Sequence, residues 1–345
     1  MARSRTRLLD RATLIAAAAV FAPGAARANA PMNYLRSFGP RADEIAALTW
    51  ALLIVSILVV VIVSVLVLVG VLRRRALQPD NQVRLEPIGH GSSTGVLWIY
   101  IGVGLSTLAL LGMMVWTGYT MAAINKPARD PKLTIEIIGH QWWWQVRYLS
   151  EDSSRIFETA NEIHIPVGEP VAFKVRTDDV IHSFWVPPLG DKLDLIPNQI
   201  NFTWLEASQP GTYRGQCAEF CGKQHAHMAL AVVADKPDEF QRWWGDQLKP
   251  APIEPQIAVG EALFTARCGA CHSVRGTRAG GRLGPDLTHV MGRGTIAAVT
   301  LPNKIAYLSG WIADPQRIKP GNLMPTLDIS GPELAQIRDF LVSLK

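Results

Sequence analysis

Two stretches of this sequence carry no charged residue: 28 positions between Glu44 and Arg73, and 35 between His90 and Lys126. A helix that crosses a bilayer needs about 20 apolar residues, so each run is long enough to span one. The first is rich in Val and Ile from Ile54 to Val71, a composition tolerated in lipid, where a helix satisfies its own backbone. The runs predict a transmembrane hairpin within residues 31–129, with helices over about 45–72 and 94–124. Arg73, Arg74, Arg75 and Arg84 lie between them and mark the cytoplasmic side. Everything after Lys126 then falls on the outer face.

Upstream, Arg3, Arg5, Arg7 and Arg11 precede the apolar run from Ala12 to Ala22, and small residues follow to Ala30. This reads as a secretory signal peptide over residues 1–30, cut near Ala28 or Ala30, with Pro31 disfavouring the second site. An uncleaved anchor is the alternative. The leader and the arginine cluster account for much of the net charge of +5, so no nucleic-acid partner is expected.

Beyond the hairpin, residues 130–248 read as short strands. Leu133, Ile135 and Ile137 alternate, as do Ile163, Ile165 and Val167, and then Val171, Phe173 and Val175, with turns at Gly168-Glu169-Pro170 and Gln209-Pro210-Gly211. An all-β antiparallel sandwich or barrel is the natural reading. A helix from Asp238 to Leu248 follows, and Lys249 to Pro255, with three prolines in seven residues, predicts a stiff linker. Residues 256–345 show no strand series. They close on a helix signalled by Ser330 and Glu333 as a capping box, by Pro332, and by Leu334, Ile337, Phe340, Leu341 and Leu344 on one face. The last domain is small and all-α.

The four cysteines form two close pairs, Cys217/Cys221 and Cys268/Cys271. Two short-spaced pairs in an exported chain of this size ask for cofactors rather than for a disulfide framework. Cys268-Gly269-Ala270-Cys271-His272 is the C-x-x-C-H arrangement of covalent haem c, in which both thiols bond the porphyrin and the histidine binds iron. A zinc site would want two further ligands, and this domain offers only His289. Met324, in the proline-flanked loop Lys319 to Pro325, is the candidate sixth iron ligand. Met291 is the domain's other methionine. Gly284-Pro285 is similar to the cytochrome c segment whose proline carbonyl accepts the proximal histidine's N–H.

The second pair belongs to the segment from Cys217 to Met228, which holds two thiols, His225, His227 and a thioether. This soft donor set favours copper over structural zinc. Cys-x3-Cys sets both sulfurs on one side of a tight loop, near enough to bridge two metal ions, and His182 can join from a neighbouring loop.

With Gly139-His140-Gln141-Trp142-Trp143-Trp144, Asp179 to Phe184 and Gly215 to Met228 in hand, the chain resembles subunit II of the haem-copper cytochrome c oxidases. The fused haem segment makes it similar to the caa type. The resemblance implies a cupredoxin-like Greek-key barrel and a class I cytochrome c domain. It implies a binuclear copper centre held by His182, Cys217, Cys221, His225 and Met228, with the Glu219 carbonyl. The Glu219 side chain would reach a magnesium ion at the contact with the catalytic subunit, near which Lys192 and Asp194 fall. Trp142 becomes the point where electrons enter, although packing is the plainer role for a tryptophan cluster. His227 lies outside the pattern and is the substitute should His225 fail, while His140 and His164 read as structural.

The implied role is the electron-receiving subunit of a proton-pumping terminal oxidase in a bacterial inner membrane, its metal domains periplasmic. It takes electrons from cytochrome c or a bc1-type donor and passes them through haem c and copper to subunit I and its companions, where oxygen is reduced. Gly95 stands where many relatives carry a proton-channel glutamate, and Glu86 is the nearest upstream carboxylate. The alternative is a membrane-anchored copper or haem carrier, or a copper chaperone, that docks to an oxidase. A nitrous oxide reductase would need a propeller domain and more histidines, and quinol oxidase relatives lack these cysteines.

Overall fold

The structure, a computed structural model, describes residues 32–72, 93–252 and 254–345. The expected leader, the arginines at 73–75 and 84, Glu86 and Ile253 of the linker lie outside the described residues. Helices α1 (Pro40–Leu72) and α2 (Ser93–Asn125) are each 33 residues long, about 50 Å at 1.5 Å per residue. Their apolar side chains face outward from Leu52 to Val69 and from Val96 to Met121, as expected of surfaces covered by lipid. The extra turn at the start of α1 sits on the β domain. Arg41 Nε lies 2.5 Å from the Asp191 carboxylate, and its Nη1 donates to Thr203 Oγ1 at 2.8 Å and to the Trp204 carbonyl at 3.1 Å. The Trp204 indole in turn donates to the Ile124 carbonyl at 2.9 Å. Both helices are therefore tied to the domain that follows.

That domain runs β1 (Leu133–His140), β2 (Trp143–Leu149), β3 (Phe157–Ala160), β4 (Glu162–Pro166), β5 (Val171–Thr177), β6 (His182–Phe184), β7 (Leu193–Leu195), β8 (Asn201–Leu205), β9 (Gly211–Gln216) and β10 (Ala229–Asp235). One sheet has the order β3-β2-β1-β5-β8, a second β4-β10-β9, and β6 pairs with β7. The expectation of a purely antiparallel arrangement is corrected here, since β1 pairs with β5 and β4 with β10 in parallel. Alternation reports which face is buried but not strand direction, and both parallel pairs join strands that are not consecutive in the chain. The chain changes sheets at Asn161, whose φ of 63° lies in the left-handed region. Its side chain accepts the Trp144 N–H at 2.8 Å, the local bond that lets asparagine adopt this conformation.

Between the sheets, Ile135, Ile137, Trp144, Val146, Phe173 and Val175 meet Ile163, Ile165, Leu230 and Val232. Helix α3 (Pro237–Gln247) closes one end, with Trp244 edge-on to Tyr148 and to Phe157. Beneath it His164 stacks on Trp243 at 4.1 Å, with Nδ1 2.6 Å from Asp235 and Nε2 3.3 Å from Glu162.

The C-terminal domain holds α4 (Ala258–Arg267), β11 (Thr295–Ile296), β12 (Leu301–Pro302), α5 (Ile305–Ala313), α6 (Pro315–Ile318) and α7 (Gly331–Ser343). It is helical as expected, apart from the two-residue β11–β12 pair. Ser330 and Glu333 form the complete capping box. α4 and α7 pack through Phe264 and Phe340, ring centroids 5.3 Å apart. They approach so closely that a Cβ on Gly260 would lie 2.2 Å from the Gln336 carbonyl oxygen. The linker is fastened rather than free: Ala251 N–H donates to the Arg275 carbonyl at 2.9 Å, and Arg275 Nη2 to the Gln247 carbonyl at 2.6 Å.

Burial pulls the His164 pKa down, but Asp235 and Glu162 outweigh it and hold the imidazole above the usual histidine range. Its stabilisation is therefore complete below that range and is lost as pH rises through the raised pKa. The melting temperature of the full chain is predicted to fall as pH rises above the ordinary histidine range, and His164→Gln to flatten that decline. Thermal melts of both proteins across the same pH series check this, and parallel curves would remove His164 as the cause.

Candidate metal centres

β9 delivers the chain into the loop 217–228 and β10 takes it away. Cys217 N–H donates to the Met228 carbonyl at 2.9 Å, closing the loop, and Ala218 N–H donates to the Ser183 carbonyl at 3.0 Å, fixing it to β6. The two sulfurs come to 3.8 Å. His182 Nδ1 lies 3.8 Å from the Cys217 sulfur, and the Glu219 carbonyl 3.2 Å from the same atom. His225 Nδ1 lies 3.6 Å and Met228 Sδ 3.7 Å from the Cys221 sulfur. The structure thus brings together every residue of the expected copper set. Among the described residues, His182, Cys217 and Cys221 form the one group of three or more His, Cys, Asp or Glu donors able to share an ion.

Two sulfurs at this spacing do not both ionise easily without a cation. The Cys217 thiol is held far below its ordinary range by its hydrogen bond with Cys221, helped by His182, while Cys221 is pushed far up by the same contact. Cys217, Cys221, His182 and Met228 are all buried. Paired buried thiols with imidazole and thioether donors at both ends fit two copper ions, which would take both sulfurs as thiolates.

His182 is oriented by a residue that the sequence reading did not single out. Asp179 Oδ1 lies 2.8 Å from His182 Nε2 and its other oxygen accepts Gln141 N–H at 2.6 Å. The imidazole therefore carries its proton on Nε2 and turns Nδ1 toward the sulfur. An acidic residue three positions before a metal-binding histidine is the signal that was available. His227 faces elsewhere, its Nδ1 2.7 Å from Gln224 Oε1. In the tryptophan run, Trp144 is a core residue, Trp143 stacks on His140 at 4.6 Å, and Trp142 is buried against the loop with its indole N–H 2.9 Å from the Cys221 carbonyl.

In the C-terminal domain, Cys271 N–H and His272 N–H both donate to the Cys268 carbonyl, at 3.1 and 3.0 Å. That turn presents two sulfurs and an imidazole together. Burial pushes the Cys268 thiol up to about 11 and draws the His272 imidazole down, favouring its neutral, ligating form. His272 Nδ1 lies 2.9 Å from the Pro285 carbonyl, so Nδ1 carries the proton and Nε2 is left as the donor atom for iron. A Cβ on Gly284 would lie 2.6 Å from His272 Cε1, so this ring needs a glycine beside it. Met324 is pinned by its N–H to Asn322 Oδ1 at 2.8 Å and by Gln316 Nε2 on its carbonyl at 2.7 Å. Met291 instead packs against the domain core. Leu283 and Leu323, beside Gly284 and Met324, are largely exposed. A neutral imidazole fixed at its far nitrogen, two thiols one turn away and an apolar rim fit a covalently held haem.

Lys319 is the other residue that sequence reasoning missed. It is buried at 3% exposure, and burial lowers its ammonium to about 8. A lysine in a proline-rich loop carries no sequence signal of burial.

Residues 145–235 match the family model described as cytochrome c oxidase subunit II, periplasmic domain, and residues 257–345 match the one described as cytochrome c. The chain is 35% identical over 314 residues to cytochrome c oxidase subunit 2 of Alkalihalophilus pseudofirmus, covering 89% of each chain. It is 30% identical to cytochrome c oxidase subunit 2 of Bacillus sp. (strain PS3), covering 79% of this chain and 80% of the relative. The periplasmic domain of subunit II of cytochrome oxidase from Bradyrhizobium japonicum is 33% identical over 35% of this chain and 96% of that one, with a TM-score of 0.33. Sequence kinship along most of its length, including the segment after the linker, makes this chain a member of the cytochrome c oxidase subunit 2 family that carries a C-terminal cytochrome c domain.

Proposed function

We propose that this chain takes electrons from a cytochrome c or bc1-type donor at a covalent haem c and passes them through a binuclear copper centre to the catalytic subunit of a terminal oxidase, which reduces oxygen and pumps protons. One observation carries the reading: four donors separated in sequence, His182, the Glu219 carbonyl, His225 and Met228, converge on the Cys217 and Cys221 sulfurs, 3.8 Å apart. When bound, the two cofactors supply one-electron storage at potentials tuned by their ligands. The protein's part is positioning. Cys268 and Cys271 would tether the haem, His272 and Met324 would bind its iron, and Pro285 would hold the His272 ring in one orientation. Cys217, Cys221, His182, His225, Met228 and the Glu219 carbonyl would hold the copper ions. Burial of His182, Cys217, Cys221 and Met228 keeps water from that side of the copper site, and a closed loop limits geometric change between oxidation states.

The two apolar helices support an anchor in a bacterial inner membrane with both metal domains on the periplasmic face. An open cavity of about 490 Å³ between α1 and the β domain, lined by Ala42, Ile45, Trp185, Pro187 and Lys192 among others, supports docking of the catalytic subunit on that side. Magnesium at Glu219 would belong to the same contact.

Two copper ions and one iron per chain are expected from metal analysis of the purified protein, and a chain with zinc or a single copper would overturn the reading. Met324→Ala is expected to lower the haem potential and change its axial-ligand spectrum; an unaltered spectrum would strike Met324 from the ligands. Cys217→Ser should abolish oxidase turnover while the haem stays attached, so retained turnover sinks the relay. Asp179→Ala, which frees the His182 tautomer, should weaken copper binding by about 10–100-fold, read by competition with a chelator.

A further inference from the structure

The C-terminal domain meets the copper loop through one buried cation. Lys319 Nζ donates to the carbonyls of His227 at 2.9 Å and Trp142 at 3.0 Å, both in the β domain, and lies 3.4 Å from that of Ala297 in its own domain. An ammonium has three protons, and all three have carbonyl partners. Removing a charge from water costs several kcal/mol per ion unless such partners are rigidly in place, so this arrangement tolerates little sliding between the domains. A second pin sits one residue on, where Gln224 Nε2 donates to the Pro320 carbonyl at 2.7 Å.

What Lys319 joins is specific. On its own side, its carbonyl accepts Asn322 Nδ2 at 2.7 Å, and Asn322 Oδ1 accepts the Met324 N–H at 2.8 Å. On the far side, the Trp142 indole donates to the Cys221 carbonyl at 2.9 Å. A continuous chain of hydrogen bonds and covalent bonds thus leads from Met324, through Asn322, Lys319 and Trp142, to Cys221. His227, the other β-domain partner, ends the same turn that carries His225.

We propose that Lys319 is a positioning residue for electron transfer between the domains, locking the Met324 loop in one register against the Cys221 loop and completing the bonded route between them. This rests on the functional reading above. With both cofactors bound, the haem would supply one electron and the copper centre would take it up, a transfer that requires no bond to break and no proton to move. The reductant is an upstream one-electron donor protein.

The test uses the full chain in its oxidase complex, with Lys319→Met removing the ammonium while keeping an unbranched apolar stem. Iron content, copper content and both metal spectra are expected to match the wild type. Backbone amides in 139–144, 216–228 and 315–325 should exchange with deuterium faster, and haem-to-copper transfer after flash reduction should slow by about tenfold or more. Lys319→Arg, which keeps a cation, should recover part of both losses. Wild-type exchange and wild-type transfer in Lys319→Met would overturn the proposal, as would an altered haem spectrum with exchange unchanged, which would confine Lys319 to its own domain. Should Lys319→Met fail to accumulate, Gln224→Ala removes the second pin and is expected to shift exchange and rate in the same direction; no shift overturns the proposal. Exchange is readable without either cofactor, so a chain lacking copper or haem would defeat the functional reading while leaving the docking separately measured.

Discussion

The bond from Cys217 N–H to the Met228 carbonyl closes a loop on which the metal site depends. It continues the antiparallel ladder of β9 and β10 one step beyond Gln216 opposite Ala229, so the strands that enter and leave the loop hold Cys217 beside Met228. With it, the segment between the strands doubles back, and the turn His225–His227 brings His225 over the Cys221 sulfur. The β sandwich beneath acts as a rigid base for this loop. Its core of Ile, Val and aromatic side chains excludes water from one side of the site, which strengthens each polar contact there.

The same loop presents a second face to the C-terminal domain. The carbonyls of His227 and Trp142 are left over once the copper-side contacts are made, and Lys319 takes both. Metal-site geometry and domain docking are thereby coupled through the backbone of His227, the residue before Met228, and through Trp142, whose indole is bonded to the Cys221 carbonyl. The fastened linker acts in the same direction. With Ala251 and Gln247 bonded to Arg275, the C-terminal domain has a direction as well as a reach, so its effective concentration at the copper loop is set by contacts and not by chain length alone.

Much of the architecture was legible from local signals. The charge-free runs, the Ser330 capping box and the contiguous Cys268 to His272 motif each depend on residues close in sequence, where spacing alone determines which side chains meet. The copper loop was legible for the same reason, being twelve residues long. His182 was harder, since it arrives from another strand: the sequence offered it only as a donor from a neighbouring loop, and its contact with the Cys217 sulfur is a product of folding. The parallel pairing of β1 with β5 and of β4 with β10 could not be read from alternation, which is blind to strand direction.

Residue types and spacing were enough for the donor chemistry: soft ligands in one short loop, a haem attachment turn, and two helices suited to lipid. Folding was needed to turn His225 and not His227 toward the sulfurs, to set Asp179 against His182, and to bury Lys319 between the domains. Ligand type is a property of the residue, whereas orientation, burial and charge environment belong to neighbours that folding brings from far along the chain.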